Sequence, residues 1–280
     1  MSDQGTLFLR VDGADVDPVA AVVMPSDRGF SYGDGVFRTV RVRGGRVAGW
    51  ARHAQKLKDD LARLGLAPPD LCLIEDDLAR LGVDYPDCVA RITITAGASA
   101  RGYRRTHGTP PTTIVRATAL PLWPAEVATL GVALHLCKLR LADQPALAGV
   151  KHLNRLEQVL ARAEWDDDRI AEGLTLDREG HAICGTMSNL FILEGGRLAT
   201  PDLARCGVEG VQRGRILDWA RQRGIPTTVE ALSLERVCAA DALVLCNSVI
   251  GTWWVNRFNG RTYVRPAWHG ELTTDLERDD

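Results

Sequence analysis

Apolar and polar positions along this chain recur at two periods, and the switches between them mark its elements. The opening Leu7-Phe8-Leu9-Arg10-Val11, the turn signal Asp12-Gly13 and the apolar run 19–24 predict β structure, a hairpin or meander. A two-residue period over Thr39-Val40-Arg41-Val42-Arg43 meets Gly44-Gly45 before Arg46-Val47-Ala48, a hairpin signature. From Trp50 the spacing becomes helical, with Leu57, Leu61 and Leu64 on one face and Gly65 ending the run. A second helix is predicted over 71–81, ahead of strands at 89–95 and 112–116.

Leu120-Pro121-Leu122-Trp123-Pro124 breaks both periods and reads as an interdomain linker. It separates a smaller N-terminal α/β domain, 1–119, from a larger C-terminal domain, 125–280. In the latter, strands near 132–136, 174–176, 190–193 and 243–245 alternate with helices over 154–165, 211–223 and 232–239. No internal repeat is found, so the expected class is a two-domain α+β or α/β enzyme. At 280 residues each half can bury its own core.

A formal charge of −2 removes the electrostatic reason to expect nucleic acid or anionic membrane as partner, which leaves a small molecule. No apolar run approaches the roughly 20 residues of a membrane span, and Met1-Ser2-Asp3-Gln4-Gly5 has no basic region leading into an apolar one. A cytoplasmic protein is expected. The seven cysteines are scattered, without a C-x-x-C pair or histidines at zinc spacing, and most read as small buried hydrophobes in a reducing compartment.

Lys151 by itself would be a solvated surface lysine. Its context, Gly149-Val150-Lys151-His152-Leu153-Asn154-Arg155-Leu156-Glu157-Gln158-Val159-Leu160, is similar to the lysine segment of 4-amino-4-deoxychorismate lyases. These belong to the fold type IV pyridoxal-phosphate class, with D-amino-acid and branched-chain aminotransferases. Ser26 to Phe37, Arg101-Gly102-Tyr103, Gly185 to Phe191 and Gly207 to Arg213 agree in order and spacing. Alone, Gly33-Asp34-Gly35 is equally a plain turn.

The resemblance implies the two-domain fold type IV (D-amino-acid aminotransferase-like) architecture, a homodimer, pyridoxal 5′-phosphate as cofactor and Lys151 as its covalent lysine and the general acid/base. Phosphate binding suits a helix N-terminus, where Gly210-Val211-Gln212 opens the helix to Arg223. The resemblance adds Asn189, Asn247 and Ser248 to the cofactor site. Arg101 resembles the arginine that grips a substrate carboxylate, or is a surface arginine. Tyr32, Phe37 and Tyr103 line the pocket or belong to the core.

Three positions depart from the pattern. Most of the family has glutamate five residues before the asparagine of Asn189-Leu190-Phe191, paired with the pyridine nitrogen; here it is Cys184. A thiol is a weak donor, so the cofactor becomes a weaker electron sink, which favours elimination over amino transfer. Lys56 replaces an arginine that holds the phosphate, keeping the charge but losing the forked donors. Ala96 replaces a frequent arginine, with no physical account of the effect. The implied activity is conversion of 4-amino-4-deoxychorismate to 4-aminobenzoate and pyruvate. A D- or branched-chain aminotransferase and an impaired cofactor-binding pseudoenzyme are the alternatives.

Overall fold

In the computed structural model, which describes residues 5–17, 23–124 and 126–278, the chain falls into two units. The first comprises Met1–Leu122 with Val150–Asn154, the second Trp123–Gly149 with Arg155–Asp279. Most of the apolar run 19–24 lies outside the described residues.

The first unit contains, in chain order, β1 (Thr6–Val11), β2 (Ala14–Asp15), α1 (Arg28–Tyr32), β3 (Gly35–Arg43), β4 (Arg46–Val47), α2 (Trp50–Arg63), α3 (Leu71–Asp84), β5 (Cys88–Thr95) and β6 (Thr112–Thr118). The strands form one antiparallel sheet in the order β2-β1-β6-β5-β3-β4. Alternation puts Val36, Val40 and Val42 of β3 in a core with Ala90, Ile92 and Ile94 of β5 and with Leu57, Leu61, Ile74 and Leu81 of α2 and α3. Each of these valine, leucine and isoleucine side chains, fully buried, contributes about 1.5–3 kcal/mol. Asp70 caps α3 by accepting from Leu73 N at 3.1 Å, and the helix continues three residues beyond the expected end.

Val150–Asn154 belongs to this first unit, which corrects the expectation that Lys151 sits in the C-terminal domain. The reason is backbone pairing. β4 covers only the far end of β3, and the near end is satisfied by Phe37 N donating to Lys151 O and Leu153 N to Gly35 O, both at 3.0 Å. Val150 then enters the same core with no exposure.

The second unit contains α4 (Glu126–Leu130), β7 (Val132–Arg140), α5 (Leu156–Arg162), β8 (Ile170–Leu176), β9 (His181–Gly185), β10 (Asn189–Glu194), β11 (Arg197–Pro201), α6 (Val211–Gln222), β12 (Thr227–Glu230), β13 (Leu232–Ser233), α7 (Leu234–Ala239), β14 (Ala242–Asn247), β15 (Gly251–Phe258), β16 (Arg261–Thr262) and α8 (His269–Arg278). Its sheet runs β12-β11-β10-β14-β15-β7-β8-β9-β13, with β16 on β15. β10 and β14 read as unbroken apolar runs because both of their faces are buried. Leu190 and Ile192 enter one core and Phe191 another, the latter with Ile216, Trp219 and Leu272. The helix expected over 154–165 is shorter, Leu156–Arg162, since the residues before it are held against the first unit's sheet. The helix expected over 232–239 begins as a strand: Leu232 and Ser233 pair with β9 before Ser233 caps α7. Among the described residues no helix is long and apolar enough to cross a membrane.

Candidate active site

In the first unit, Lys151 is fixed through its backbone. Its N–H donates to Asp60 Oδ2 at 3.2 Å, and Asp60 is completely buried on α2. The same carboxylate takes Lys56 Nζ at 2.8 Å and the Arg38 guanidinium. Lys56, expected at the phosphate, therefore directs its charge to Asp60 one helical turn on. The Lys151 side chain crosses Phe37, with Nζ 4.6 Å from the ring centre, and Arg91 stacks on that ring at 3.9 Å. Phe37, only 7 % exposed, is thus both core and floor beneath the lysine.

The aromatic and arginine segments also meet within this unit. Gly33 takes φ +64°, and Asn154 Oδ1 would lie 2.5 Å from any Cβ there, so the motif around Asp34 is more than a turn. Arg28 donates to the Gly102 and Tyr103 carbonyls at 2.9 Å and to Asp34 at 2.8 Å. Burial would raise the Asp34 carboxyl, but Arg105 and Arg28 outweigh it and hold it below the usual range. Tyr32 OH accepts Gly102 N at 3.1 Å, and the Tyr32 and Tyr103 rings lie 5.4 Å apart. Tyr103 is 87 % exposed. Arg101 is exposed too, and its guanidinium makes no hydrogen bond or ion pair with the described residues. Ala96 is buried and donates its N–H to Asp34 O at 2.9 Å.

In the second unit Cys184 lies on β9 among Leu141, Ile183, Leu203 and Cys206. Burial pushes its thiol up to about 11, with the Thr175 hydroxyl 3.7 Å away pulling weakly back. The thiol is neutral at physiological pH. The turn after it is held by Glu172, a buried carboxylate absent from the sequence-based expectations. Its two oxygens accept Gly173 N and Thr186 N at 2.9 Å, Thr186 Oγ1 at 2.5 Å, Ser188 Oγ at 2.8 Å and Met187 N at 3.1 Å. Five donors thus converge on this one side chain.

That turn delivers Asn189, whose Nδ2 donates to Val208 O at 2.8 Å and whose Oδ1 accepts Gly210 N at 3.1 Å. A Cβ on Gly210 would stand 2.3 Å from the same Oδ1, so the position needs glycine. Gly210 begins α6 without a side-chain cap, leaving the first N–H groups at Val211 and Gln212 for another acceptor. Asn247 closes the arrangement, with Nδ2 on Met187 O at 3.0 Å and Oδ1 taking Val249 N and Ile250 N. Ser248 sits in the turn so formed. These residues fit a dianionic phosphate: uncapped helical N–H donors, a small residue at the approach and hydroxyl and amide groups nearby.

Residues 35–258 match the model of the class IV amino-transferase family. The crystal structure of 4-amino-4-deoxychorismate lyase from Pseudomonas aeruginosa superposes with a TM-score of 0.91 at 38% identity, over 97% of this chain and 98% of that one. An aminodeoxychorismate lyase of Vibrio harveyi is 34% identical over 80% of this chain and 83% of its own. A D-alanine aminotransferase of Bacillus licheniformis is 22% identical over 90% and 88%. The chain belongs to the class IV aminotransferase family, whose cofactor is pyridoxal 5′-phosphate.

Proposed function

We propose that the protein is an aminodeoxychorismate lyase, converting 4-amino-4-deoxychorismate to 4-aminobenzoate and pyruvate. The observation that carries the reading is the likeness, over most of the chain, to two lyases at 34% and 38% identity, against 22% to the D-alanine aminotransferase. Cys184 supports it physically. A neutral thiol in place of a carboxylate leaves the pyridine nitrogen without an anionic partner, a condition elimination tolerates better than amino transfer.

In this reading Lys151 holds the cofactor, and Val211, Gln212, Asn189, Asn247 and Ser248 bind its phosphate and ring, while Lys56 stays with Asp60. When bound, the cofactor supplies a sink for the electron pair left as the substrate loses a proton. The Lys151 amine takes that proton from the carbon bearing the substrate amine, and the neighbouring carbon–oxygen bond breaks. The same amine returns a proton to the departing enolpyruvyl group, which becomes pyruvate. Aromatisation of the ring makes the step one-way. Phe37 keeps the lysine over an apolar floor, Tyr32 shapes the pocket wall, and Arg101 and Tyr103 reach substrate from their exposed loop.

The reading includes a homodimer. On α5, Leu156, Val159 and Leu160 are 68, 60 and 53 % exposed and share one helical face, an apolar surface that a second copy would cover. Light scattering of the purified protein tests this, and a monomer at micromolar concentration would remove it.

The deciding assay is pyruvate release from aminodeoxychorismate by protein supplied with excess cofactor. Rapid glutamate formation from D-alanine or a branched-chain amino acid with 2-oxoglutarate, without pyruvate release from aminodeoxychorismate, would replace the lyase by an aminotransferase. Cofactor binding with neither product would leave a pseudoenzyme.

A further inference from the structure

The register of β3, β5 and β6 sets Thr39, Arg91 and Arg116 directly opposite one another. Facing residues on neighbouring strands share a side of the sheet, as do residues two apart on one strand. Phe37, Thr39 and Arg41 of β3 therefore lie on one side with Arg91 of β5 and Arg116 of β6. The other side is the apolar core beneath α2 and α3. Three arginines thus gather on the face that carries Phe37, the ring over which Lys151 lies.

Among the described residues these arginines form no ion pair with an acid. Arg91 stacks on Phe37 at 3.9 Å and has one long hydrogen bond, Nε to Thr93 Oγ1 at 3.4 Å; among the described residues no carboxylate pairs with it. Burial, and then the neighbouring Arg116, holds its guanidinium below the usual range. Arg41 Nε is buried with no hydrogen-bond partner among the described residues. Elsewhere in the same unit the buried arginines are matched: Arg10 with Asp77, Arg28 with Asp34 and Arg38 with Asp60. A partly desolvated cation beside two like charges is unfavourable unless an anion completes the site. Stacking holds the planar group by its face and leaves its edge donors for two oxygens of one carboxylate.

We infer that Arg91 binds a carboxylate of the substrate and product, with Arg41 and Arg116 adding to the attraction, and so selects a carboxylated ring amine over a neutral one. The identity of that ligand rests on the lyase reading; the anion preference itself rests on the charge arrangement.

Titration calorimetry of the cofactor-loaded enzyme with 4-aminobenzoate and with its neutral isostere 4-aminobenzamide isolates the carboxylate. Wild type is expected to bind the acid about ten-fold or more tighter than the amide, as charge-assisted bidentate contacts allow. Arg91→Gln should lose that preference while amide binding stays within about two-fold, and Arg91→Lys should restore part of it. In the lyase assay Arg91→Gln should raise KM about ten-fold with a much smaller change in kcat. Wild type that binds the two probes alike, or an Arg91→Gln variant that keeps the preference, overturns the inference. Because wild type alone must show the preference, misfolding of a variant does not shield it. A wild type that discriminates between the probes but releases no pyruvate refutes the lyase reading and leaves Arg91 standing.

Discussion

The Asp60 carboxylate accepts the backbone N–H of Lys151 at 3.2 Å, from 91 residues away in the chain. It also neutralises Arg38 and Lys56, so one buried anion fixes two cations and the segment that carries Lys151. Removing such a charge leaves buried cations unmatched, at a cost of about 3–5 kcal/mol. Asp60→Asn keeps the shape and removes the charge. Urea denaturation is expected to give an unfolding free energy lower by about 3 kcal/mol. An unchanged midpoint would show that Asp60 does not anchor this segment.

Lys151→Ala removes the amine but leaves the backbone pairing with β3, which runs through Lys151 O. The fold should persist, with a thermal midpoint close to wild type. The visible band of covalently held cofactor should vanish, and pyruvate release should fall by about 10³-fold or more, the scale of a lost nucleophile and general acid/base. Lys151→Arg should not rescue it, since a guanidinium stays protonated. Activity within about ten-fold of wild type in Lys151→Ala would remove the lysine from the mechanism.

Much of the frame was legible because periodicity is local. The strands around 39–43 and 89–95, the α2 face of Leu57 and Leu61, and the turn at Gly65 follow from adjacent residues alone. The destination of Val150–Asn154 was not legible. Five residues have no period, and their partner on β3 is more than a hundred positions earlier. Lys56 and Asp60 did carry a readable signal, the four-residue helical spacing that makes them a pair before either meets a ligand. Arg91 was visible as a charge inside an apolar alternation, yet only the register opposite Thr39 and Arg116 reveals a cationic face. Glu172 lies in a strand, and four of its five donors arrive when the chain returns 14 to 16 residues later.

Glu172 is the fixed point of the turn that leads into Asn189. Replacing one carboxylate oxygen by an amide nitrogen in Glu172→Gln would turn a donor toward donors. With five contacts at stake, a loss of about 2–4 kcal/mol is expected, within the range for a buried charged hydrogen-bond network. Gly185→Ala attacks the same turn sterically, since its Cβ would fall 2.2 Å from Ser188 Oγ and 2.7 Å from Glu172 Oε2. Both variants should lower the thermal midpoint and weaken cofactor retention on dialysis, because the distorted turn displaces Asn189. Glu172→Gln with wild-type stability would mean that the carboxylate is dispensable.

Cys184 offers a test by pH. Its thiol moves from 9.0 up to about 11 through burial, so the folded chain holds this proton more tightly than the unfolded chain does. A group whose folded value is raised contributes stability that is complete below the unfolded value and disappears as pH climbs through the folded one. Stability should therefore decline between pH 9 and 11. Cys137, Cys206 and Cys246 are raised to about 12 and steepen the decline, so the share of Cys184 is the difference between wild type and the non-titrating Cys184→Ser. Identical slopes for the two proteins would exclude the thiol as the titrating group. The same neutrality bears on the chemistry. Cys184→Glu places a carboxylate among Leu141, Ile183, Leu203 and Cys206, where only a cationic partner would keep it ionised. With the cofactor placed as proposed, a protonated ring nitrogen would be such a partner, and the variant should then gain more thermal stability from cofactor than wild type gains. It should also raise amino transfer from D-alanine relative to pyruvate release. If that ratio does not move, a neutral group at position 184 does not set the balance between elimination and amino transfer.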